Sequence, residues 1–417
     1  MGWVTEEHPT DQELDACVQC GLCLPLCPTF RLTGRETASP RGRLQAMNAV
    51  RDDLFEVDET FEHIMDFCLG CRACEPVCPG MVPYGRALEG TRAEIVAQRP
   101  SASHRLRAFL LGSLLGSRGT LSAGSTLLGI AQMLRLTDLA PRRYRRLTSG
   151  LRPLRGRTRA SVGHSGGSGT TGSVGFLSGC VQDQWFRPTN RTAIQLLEMA
   201  GYRVEAPLAQ TCCGALAAHD GKAPEARALA EVNTPAFDGY DMIVATAAGC
   251  SAHLREYAHW ADDGESVGSK AIDVTVAIAE AIEGGLLPRL ETDNGEIGIQ
   301  DPCHLRHAQR VTAEPRAILE AAGYRVVEID PAGMCCGAAG LYTMLQPEAS
   351  QELGNQKAEQ IRSTGVKRVA SANSGCEMQM RSVLGDEVEI RHPIEWYLDA
   401  IDAAQTRVNV AAVKDPL

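Results

Sequence analysis

The sequence predicts an α+β multidomain protein, in which a mainly helical N-terminal domain is followed by two duplicated α/β halves. Three observations support this fold class. Two cysteine-rich loops lie within the first hundred residues, separated by stretches with helical character. Beyond residue 170 the chain repeats itself with a period of about 123 residues. Within each repeat, short apolar strands alternate with helical stretches, which is typical of a parallel sheet covered by helices.

Length and composition are those of a globular protein with several domains. The 417 residues correspond to two or three domains. With 44% hydrophobic and 22% charged residues, the composition gives no sign of disorder. Motifs and changes of composition divide the chain into four segments, which are 1–100, 101–172, 173–290 and 291–417. We call the last two segments the first half and the second half.

The N-terminus gives no sign of export. It carries acidic residues where a secretory signal would carry basic residues and then an apolar stretch. The longest apolar candidate, "AFLLGSLLGSRGTLSAGSTLLGIAQML", is interrupted by Arg118 and several Gly and Ser. It falls short of the roughly 18 uninterrupted apolar residues that span a bilayer. We therefore expect a cytoplasmic protein.

Sixteen cysteines are the most informative feature of the composition. The cytoplasm keeps thiols reduced and makes disulfides rare, so metal binding is the first explanation for them. Eight fall in two runs, "CVQCGLCLPLCP" and "CLGCRACEPVCP", which share the spacing C-x2-C-x2-C-x3-C-P. Bacterial ferredoxins with [4Fe–4S] clusters have this spacing, and in them the fourth cysteine of each run binds the cluster of the other run.

The spacing predicts two [4Fe–4S] clusters with four ligands each. We expect the first cluster to be held by Cys17, Cys20, Cys23 and Cys78, and the second by Cys68, Cys71, Cys74 and Cys27. Zinc is the alternative metal, but zinc sites favour paired C-x2-C loops that lie far apart. Because the forty residues between the two runs have helical character, we expect a largely helical, ferredoxin-like di-cluster domain.

The segment from Ser101 to Ala160 is strongly basic. It contains twelve Arg and one acidic residue, Asp138, and so carries a charge of +11 in a chain of formal net charge −10. This concentration of charge favours an acidic partner surface or an anionic membrane face. A solvated linker, whose amphipathic helices pack on the acidic domains of the same chain, fits the composition equally well.

A Gly/Ser-rich stretch, "SVGHSGGSGTTGSVG", follows and is typical of a flexible boundary. It contains "GSGTTG", which matches the G-x-G-x-x-G pattern of dinucleotide-binding loops. That pattern has to follow a strand and open a helix, whereas here a polar linker precedes it and a strand-like run follows. We therefore expect no dinucleotide site.

The repeat places four cysteines at corresponding positions in each half. A lone cysteine precedes an adjacent pair by 32 positions in both halves, and a closing cysteine follows the pair by 37 or 40 positions. The two sets are Cys180, Cys212, Cys213 and Cys250 in the first half, and Cys303, Cys335, Cys336 and Cys376 in the second. Because lone and closing cysteines come where strands end, we expect each set at the carboxyl edge of a Rossmann-like parallel sheet.

Adjacent cysteines followed by glycine, as in Cys335-Cys336-Gly337, favour a metal centre. A disulfide between neighbours would be strained, because their Cα atoms lie about 3.8 Å apart whereas disulfides join Cα atoms roughly 4.4–6.8 Å apart. Two thiolates on successive residues can approach one metal, and the glycine allows the backbone to come close. Each set fits a further iron–sulfur cluster or zinc, and buried structural cysteines are the third interpretation.

The combination of motifs resembles a known family, the iron–sulfur subunits of bacterial glycolate oxidases. The resemblance covers nearly the whole chain and is carried by "CVQCGLCLPLCPTF", "SPRGR", "CLGCRACEPVCP", "TAAGCSAHLREY", "DPCHLRHAQ" and "CCGAAGLYT". The Cys-Cys-Gly halves alone also resemble domains of heterodisulfide reductases, lactate-utilisation proteins and anaerobic glycerol-3-phosphate dehydrogenase.

The closing motifs depart from those of the heterodisulfide reductases. In those relatives each half closes with C-x2-C, which supplies a fifth thiolate to a non-cubane cluster. Here the corresponding residues are His253, in "CSAH", and Gln379, in "CEMQ". The departure argues against a five-thiolate cluster and disulfide-cleaving chemistry. His253 either replaces the missing thiolate or lies at the surface of the following helix, and we favour the surface position.

The resemblance implies an electron-transfer subunit of an oxidoreductase. FAD-containing partner subunits would oxidise glycolate to glyoxylate, and this chain would pass the electrons to quinone or another acceptor. If the Arg-rich segment contacts lipid and does not pack on the chain's own domains, the contact would be with the inner face of the cytoplasmic membrane. The alternatives are the equivalent subunit of a lactate or glycerol-3-phosphate dehydrogenase, and a catalytic subunit like that of heterodisulfide reductase. The sequence has no convincing flavin or nicotinamide fingerprint, and we expect no nucleic-acid partner.

Three arginines lie close in sequence to the ferredoxin-type cysteines: Arg41, Arg43 and Arg72. A cation beside a cluster raises its reduction potential, because it stabilises the more negative reduced state. These arginines are either tuning residues of this kind or ordinary surface charges.

Overall fold

The computed structural model describes residues 2–134, 136–139, 148–152 and 160–414. Within this part of the chain, helices dominate the N-terminal region, and two sheets with helices on their faces follow. This architecture agrees with the predicted α+β class. The segment boundaries at 100, 172 and 290 stay predictions.

Short helices form the N-terminal region around the cysteine loops. They are Asp11–Asp15, Pro28–Thr33, Pro40–Arg51, Glu59–Asp66 and Tyr84–Gln98, with a 3-10 turn at Glu36–Ala38. Side chains of Thr10, Ser39 and Asp58 accept hydrogen bonds from first-turn amides and so start three of these helices. The helices at 40–51 and 59–66 confirm the helical character predicted between the two cysteine runs.

The core of this region includes cysteines as well as apolar side chains. Leu14, Met47, Phe61 and Met65 are fully buried, and they pack in one cluster with Cys68 and Cys74. The helices therefore serve mainly to hold the cysteine loops, which have too few apolar residues of their own to form a core.

The basic segment contains the helices Ala102–Ala108, Phe109–Leu114 (π-helical) and Arg118–Met133, followed by a 3-10 turn at Leu136–Leu139. Of the four arginines of this segment that the structure describes, three bind groups of the protein itself. Arg107 binds Asp220 at 2.8 Å, Arg118 binds the carbonyl oxygens of residues 208 and 210, and Arg152 binds two carboxylates. Eight others lie outside the described residues: Arg135, Arg142, Arg143, Arg145, Arg146, Arg155, Arg157 and Arg159. No described helix combines the length and the apolar character needed to cross a bilayer.

The first sheet has five strands, of which β1 comes from the segment that precedes the first half: β1 Ser165–Gly166, β2 Gly172–Leu177, β3 Tyr202–Glu205, β4 Met242–Ala245 and β5 Ala271–Asp273. Their order is β1-β3-β2-β4-β5, and only the β1–β3 pair is antiparallel among these described strands. The helices of this half are Gln182–Trp185, Arg187–Met199, Ala215–His219, Ala223–Ala236, Ala248–Leu254, Tyr257–Trp260, Glu265–Gly268 and Val274–Glu283.

Four parallel strands form the sheet of the second half: β6 Glu296–Gln300, β7 Arg325–Glu328, β8 Arg368–Ser371 and β9 Glu389–Arg391. Their order, β7-β6-β8-β9, repeats the order β3-β2-β4-β5 of the first half. The helices are His304–Ala308 (π-helical), Ala313–Ala321, Tyr342–Leu345, Pro347–Thr364, Ser374–Leu384 and Pro393–Lys414. The predicted duplication and the parallel sheets are thus confirmed.

The Gly/Ser-rich stretch contributes to the first sheet as well as connecting to it, because β1 pairs with β3. Its "GSGTTG" sequence leads directly into β2 and opens no helix, as expected. A Cβ atom at Gly167, whose φ is 89°, would overlap the carbonyl oxygen of Tyr202, so glycine permits the close approach to β3.

Helices from both halves share one apolar core. Ile194 and Ile278 of the first half are buried in the same cluster as Ile318 and Tyr397 of the second. Each such side chain contributes roughly 1.5–3 kcal/mol on burial. The common core therefore fixes the orientation of the two sheets, and with it the position of the loops at their edges.

Asp273 ends β5, caps the next helix and predicts a dependence of stability on pH. It is fully buried, and its carboxylate accepts hydrogen bonds from the amide and the hydroxyl of Thr275. Burial raises the pKa of Asp273 to about 6. As pH rises from about 4 to 6, the unfolded chain releases this proton and the folded chain retains it, so this group's contribution to stability falls.

We expect Asp273→Asn to stabilise the protein increasingly as pH rises from 4 to 7, by about 2–3 kcal/mol at neutral pH. Asparagine caps a helix as well as aspartate does, so the two bonds from Thr275 survive. The bond that the Ser251 hydroxyl donates to the other carboxylate oxygen is lost, which lowers the gain by the same amount at every pH. Urea unfolding of variant and parent at several pH values measures the difference. A constant difference across this range would contradict the raised pKa.

Candidate metal centres

The four cysteines predicted to hold the first cluster line one cavity near the surface. Cys20 is exposed, whereas Cys17, Cys23 and Cys78 are half-buried. A Cβ atom at Gly80 would overlap the carbonyl oxygen of Ala16, so this glycine lets the second cysteine run approach the first. The structure thus brings together three ligands from one run and the fourth from the other.

The two cysteine loops turn in the same way. Gln19 and Gly70, which precede the second cysteine of each run, have φ values of 56° and 62°. Gly21 and Arg72, which follow that cysteine, have φ values of 81° and 61°. When residues in the left-handed region alternate with residues outside it, successive amide N–H groups point toward one centre. Such a centre favours a negatively charged occupant. The Gly70 amide lies 3.4 Å from the sulfur of Cys68 and donates to it.

The four cysteines predicted for the second cluster are all buried: Cys27, Cys68, Cys71 and Cys74. Burial raises the pKa of the Cys74 thiol well above its ordinary value, and the charges of the other three raise it further. None of them forms a disulfide. Four thiolates in one buried space repel each other unless cations compensate them, and the donor set fits an iron–sulfur cluster.

Arg43 places a positive charge beside this second group. The side chain is fully buried, and it donates hydrogen bonds to the carbonyl oxygens of Ile64 and Ala38, each at 2.9 Å. It also donates to the Thr29 hydroxyl at 3.2 Å, and that hydroxyl lies 3.2 Å from the sulfur of Cys27. For Arg43, the interpretation as an ordinary surface charge is wrong, because the helix Pro40–Arg51 turns this residue inward.

The other two arginines are paired with carboxylates. Arg41 binds Glu36 at 2.7 Å, and Arg72 binds Glu75 at 2.9 Å and also Glu256 of the first half. Their charges are therefore largely compensated, and the uncompensated cation of the three is Arg43, whose described hydrogen bonds go to neutral oxygen atoms.

The eight cysteines of the two halves follow the carboxyl ends of neighbouring parallel strands. Lone cysteines follow β2 and β6, the pairs follow β3 and β7, and closing cysteines follow β4 and β8. The sulfur atoms of Cys180 and Cys212 are 3.3 Å apart, and those of Cys213 and Cys250 are 3.2 Å apart. Cys303 with Cys335, and Cys336 with Cys376, make the corresponding contacts. The expected placement at the sheet edge is thus observed in both halves.

Both sets of four thiols open into one cavity of about 320 Å³ between the halves. The sequence predicted two separate sets, each at its own sheet edge. The shared core turns these two edges toward each other, and His219, His304 and Tyr342 complete part of the cavity wall. Thiolate donors in sets of four suit iron–sulfur clusters or zinc. Among the described residues, no three Cys, His, Asp or Glu side chains have the arrangement of a single-ion site.

The N-terminal cysteines continue directly into this cavity. Cys68 lines it, and the charge of Cys303 contributes, after burial, to the raised pKa of Cys71. On the other side, Cys74 lines the cavity of the first group. The four groups of cysteines therefore form a continuous series from the surface to the space between the halves.

His253 is buried, with 2% of its surface exposed, so the surface position favoured from the sequence is wrong. The helix Ala248–Leu254 turns it inward, where it packs against the rings of Tyr257 and Trp260. Burial lowers the pKa of His253 to about 3 and keeps the ring neutral. Gln379 is also buried, and its amide donates to the carbonyl oxygen of Ser350 at 2.9 Å.

Polar contacts fix the N-terminal region against the first half. The carboxylate of Glu89 lies 2.6 Å from Nδ1 of His219. Arg92 donates to the carbonyl oxygens of His219 and Cys68, each at 2.7 Å, and to that of Met65 at 3.0 Å. One guanidinium therefore joins the second cysteine loop to the wall of the shared cavity.

We expect Arg92→Ala to lower the free energy of unfolding by about 3 kcal/mol, because three buried carbonyl oxygens lose a charged donor. Arg86→Ala is the matched control on the same helix: its side chain is exposed and pairs with Glu13, so its loss should cost below about 1 kcal/mol. Urea unfolding of the anaerobic protein measures both. Equal effects of the two substitutions would contradict the role of Arg92.

Two family models match the chain. A 4Fe–4S dicluster domain matches residues 13–82, and a cysteine-rich domain matches residues 174–255 and again 297–381. The first match includes both ferredoxin-type runs, and each of the other two includes one complete set of four cysteines.

A probable glycolate oxidase iron–sulfur subunit of Bacillus subtilis (strain 168) is 34% identical, over 95% of this chain and 96% of the relative. The chain belongs to the family of glycolate oxidase iron–sulfur subunits. The glycolate oxidase iron–sulfur subunit of Escherichia coli (strain K12) is 29% identical, over 94% of this chain and 95% of the relative. The predicted resemblance is confirmed, and membership identifies the chain as an iron–sulfur electron-transfer subunit.

More distant relatives of this glycolate oxidase subunit family carry other names. A fumarate reductase (CoM/CoB) subunit of Methanothermobacter marburgensis is 27% identical, over 92% of this chain and 70% of the relative. Lactate utilization protein A of Bacillus subtilis (strain 168) is 25% identical, over 53% of this chain and 97% of the relative. The names refer to different substrates, so the shared cysteine architecture alone does not specify the substrate.

Proposed function

We propose that this chain carries electrons from FAD-containing subunits, which oxidise glycolate to glyoxylate, to a quinone. The oxidation releases two electrons and two protons, and bound [4Fe–4S] clusters take up and release electrons one at a time. Support comes from the continuous series of cysteine groups between the exposed Cys20 and the cavity between the halves. Cys17, Cys20, Cys23 and Cys78 would hold the first cluster, and Cys68, Cys71, Cys74 and Cys27 the second.

The residues around these groups would perform the protein's part of the transfer. Helical packing excludes water from the second group, which keeps the local dielectric low. Arg92 and Glu89 hold the N-terminal region against the first half and so set the distance between the second group and the shared cavity. We propose one further metal centre at each of the two sets that line the cavity. An iron–sulfur cluster is favoured over zinc, because no three of the described side chains have the arrangement of a single-ion site.

Glycolate added anaerobically to the purified complex tests this function. We expect EPR signals of reduced [4Fe–4S] clusters to develop with glycolate, and to disappear when a soluble quinone is added. Lactate and glycerol 3-phosphate are the comparison substrates. Faster reduction by either of them would assign the chain to the corresponding dehydrogenase instead, and an unreduced protein with all three would overturn the proposal.

The surface around the first group fits a partner of this kind. Val18 and Leu22 flank Cys20, and Met81 follows Cys78; all three side chains are more than half exposed. An apolar surface beside an exposed cluster ligand suits the docking of a redox partner, because contact there brings the partner's cofactor close to the cluster. We assign this surface to the flavoprotein subunit.

Leu22→Glu should weaken assembly with the flavoprotein subunit at least tenfold, because it places a charge in the centre of the contact. Leu54→Glu is the matched control, since Leu54 is exposed on the same region but far in sequence from both cysteine runs. Co-purification and surface plasmon resonance measure the effect. Unchanged affinity in Leu22→Glu, with both clusters present, would place the partner elsewhere.

Peripheral membrane contact is the proposed role of the basic segment. Leu127, Ile130 and Leu134 are exposed on one face of the helix Arg118–Met133 and its end, at the spacing of an amphipathic helix. The segment from residue 101 to 160 has a formal charge of +11, and the positive charge that Arg107 and Arg152 do not spend on carboxylates of the protein itself complements anionic lipid.

Flotation with vesicles tests this contact. We expect binding to vesicles that contain phosphatidylglycerol, weaker binding at high salt, and loss of binding in Leu127→Glu/Ile130→Glu. Leu286→Glu, at an exposed site of the first half, is the control and should bind as the parent does. Absence of binding to anionic vesicles would overturn the membrane contact.

A further inference from the structure

His253 is a buried imidazole without a described partner. Both ring nitrogens are shielded from solvent, and neither makes a hydrogen bond to any residue that the structure describes. Leaving a buried polar group unpaired costs about 1–3 kcal/mol, and native proteins do so rarely. A function for this side chain would explain why the protein accepts that cost.

The ring lies against the loop of the adjacent cysteines. Nε2 of His253 is 3.2 Å from the position that a Cβ atom would take on Gly214, the residue that follows Cys213. His253 is also three residues after Cys250 in the helix Ala248–Leu254, so the two side chains share a helical face. The sulfur of Cys250 is 3.2 Å from that of Cys213. His253 therefore lies against the loop that carries Cys213 and on the same helix as Cys250.

Two polar side chains near the ring are already engaged. The Tyr257 hydroxyl donates to the carbonyl oxygen of Cys213 at 2.7 Å and accepts from Asn233 at 3.0 Å. Nδ1 of His219, whose ring centroid is 6.5 Å from that of His253, is paired with Glu89. The indole N–H of Trp260, whose ring centroid is 5.6 Å from that of His253, also has no described partner. Among the described residues, this N–H and the nearby thiols are therefore the polar groups left open to the imidazole.

The second half provides an internal comparison. Gln379 follows Cys376 by three residues, and its Nε2 lies 3.5 Å from the Cβ position of Gly337, which follows Cys336. This is the place that His253 occupies in the first half. Here, however, Nε2 donates to the carbonyl oxygen of Ser350 at 2.9 Å. The side chain at this position has a hydrogen-bond partner in the second half, whereas the one in the first half has none among the described residues.

We propose that His253 supplies a nitrogen ligand to the metal centre held by Cys180, Cys212, Cys213 and Cys250, and that the two halves therefore hold chemically different centres. The inference rests on the proposed metal binding by the first set of cysteines. Neutral imidazole is a common ligand of both iron and zinc. Since it adds no negative charge, an iron–sulfur centre with this ligand would have a higher reduction potential than one with a further thiolate.

Nitrogen hyperfine spectroscopy of the full-length protein tests the inference. With 14N and 15N histidine incorporated in parallel preparations, we expect a strong, isotope-sensitive nitrogen coupling typical of coordinated imidazole. It should disappear in His253→Gln, which gives the first half the residue of the second. Gln379→His is the matched variant and should leave the coupling of the first half unchanged. If the first half contains zinc, X-ray absorption at the zinc edge should show three sulfur neighbours and one nitrogen neighbour, and the nitrogen should be lost in His253→Gln.

The isotope experiment uses the unmutated protein, so it remains decisive if a variant fails to fold. Absence of histidine nitrogen from every metal centre would overturn the inference. The inference would also be overturned if Cys180→Ser and Cys250→Ser left the metal content unchanged, because the first set would then hold no metal. In that case, glycolate-dependent reduction of the two N-terminal clusters in the same preparation would leave the proposed electron-transfer function intact.

Discussion

Replacing Cys335 and Cys336 by serine is expected to remove the metal of the second half while leaving the two N-terminal clusters in place. The pair contributes two of the four thiols at the edge of the second sheet, and serine is a poor ligand for soft metals. Iron per chain should fall toward the roughly eight irons of two [4Fe–4S] clusters. An EPR signal of the dithionite-reduced protein should disappear together with that iron.

The equivalent change of Cys212 and Cys213 is the matched comparison, because it affects the first half only. We expect each double variant to lose one centre and to retain the other. Loss of zinc instead of iron would identify the centre as a structural metal site. Unchanged contents of both metals would mean that the pair is not a ligand, and that these buried thiols serve packing alone.

Arg43→Met is expected to lower the reduction potential of the second N-terminal cluster by roughly 100 mV, the effect of removing one charge at short range in a partly polar interior. Arg43 is fully buried beside the predicted ligands Cys27 and Cys68, and its described hydrogen bonds go to neutral oxygens. Methionine has a similar length and no charge. Potentiometric titration followed by EPR measures the shift.

Arg41→Met is the control for this prediction. Arg41 is near the first group, but it is partly exposed and paired with Glu36, so its removal should shift the potential of the first cluster much less. Arg43→Lys retains the charge and should keep most of the potential. An unchanged potential in Arg43→Met, with both cluster signals present, would show that the arginine serves folding only.

The cluster chemistry of the N-terminal region could be predicted from the spacing of its cysteines, because most ligands of each cluster lie close together in the sequence. Three cysteines of each run lie within seven residues, and the loop geometry follows from that spacing and from the residues with positive φ beside the second cysteine. Arg43 could not be interpreted in the same way. Its position three residues after Pro40 is visible in the sequence, but which face of the helix Pro40–Arg51 is buried depends on the cysteine loops that pack there.

In the two halves as well, the sequence predicted one part of the structure correctly and missed another. The repeat with its intervals of 32 positions determined the duplicated parallel sheets and the placement of each cysteine set at a carboxyl edge, because strand direction and chain order follow from alternating patterns. The sequence was misleading for His253. A polar histidine on the helix that follows the closing cysteine indicated a surface position. Packing of Tyr257 and Trp260 over this helix buries it.

The sequence by itself thus determined the ligand types, their grouping into four sets and the class of fold, since these depend on residue identity and short-range spacing. Only the tertiary structure decided how the sets face each other. The common core that includes Ile278 and Ile318 turns two sheet edges toward one cavity, and Arg92 holds the N-terminal loops beside it. These arrangements depend on contacts between residues far apart in the chain, which no local pattern encodes.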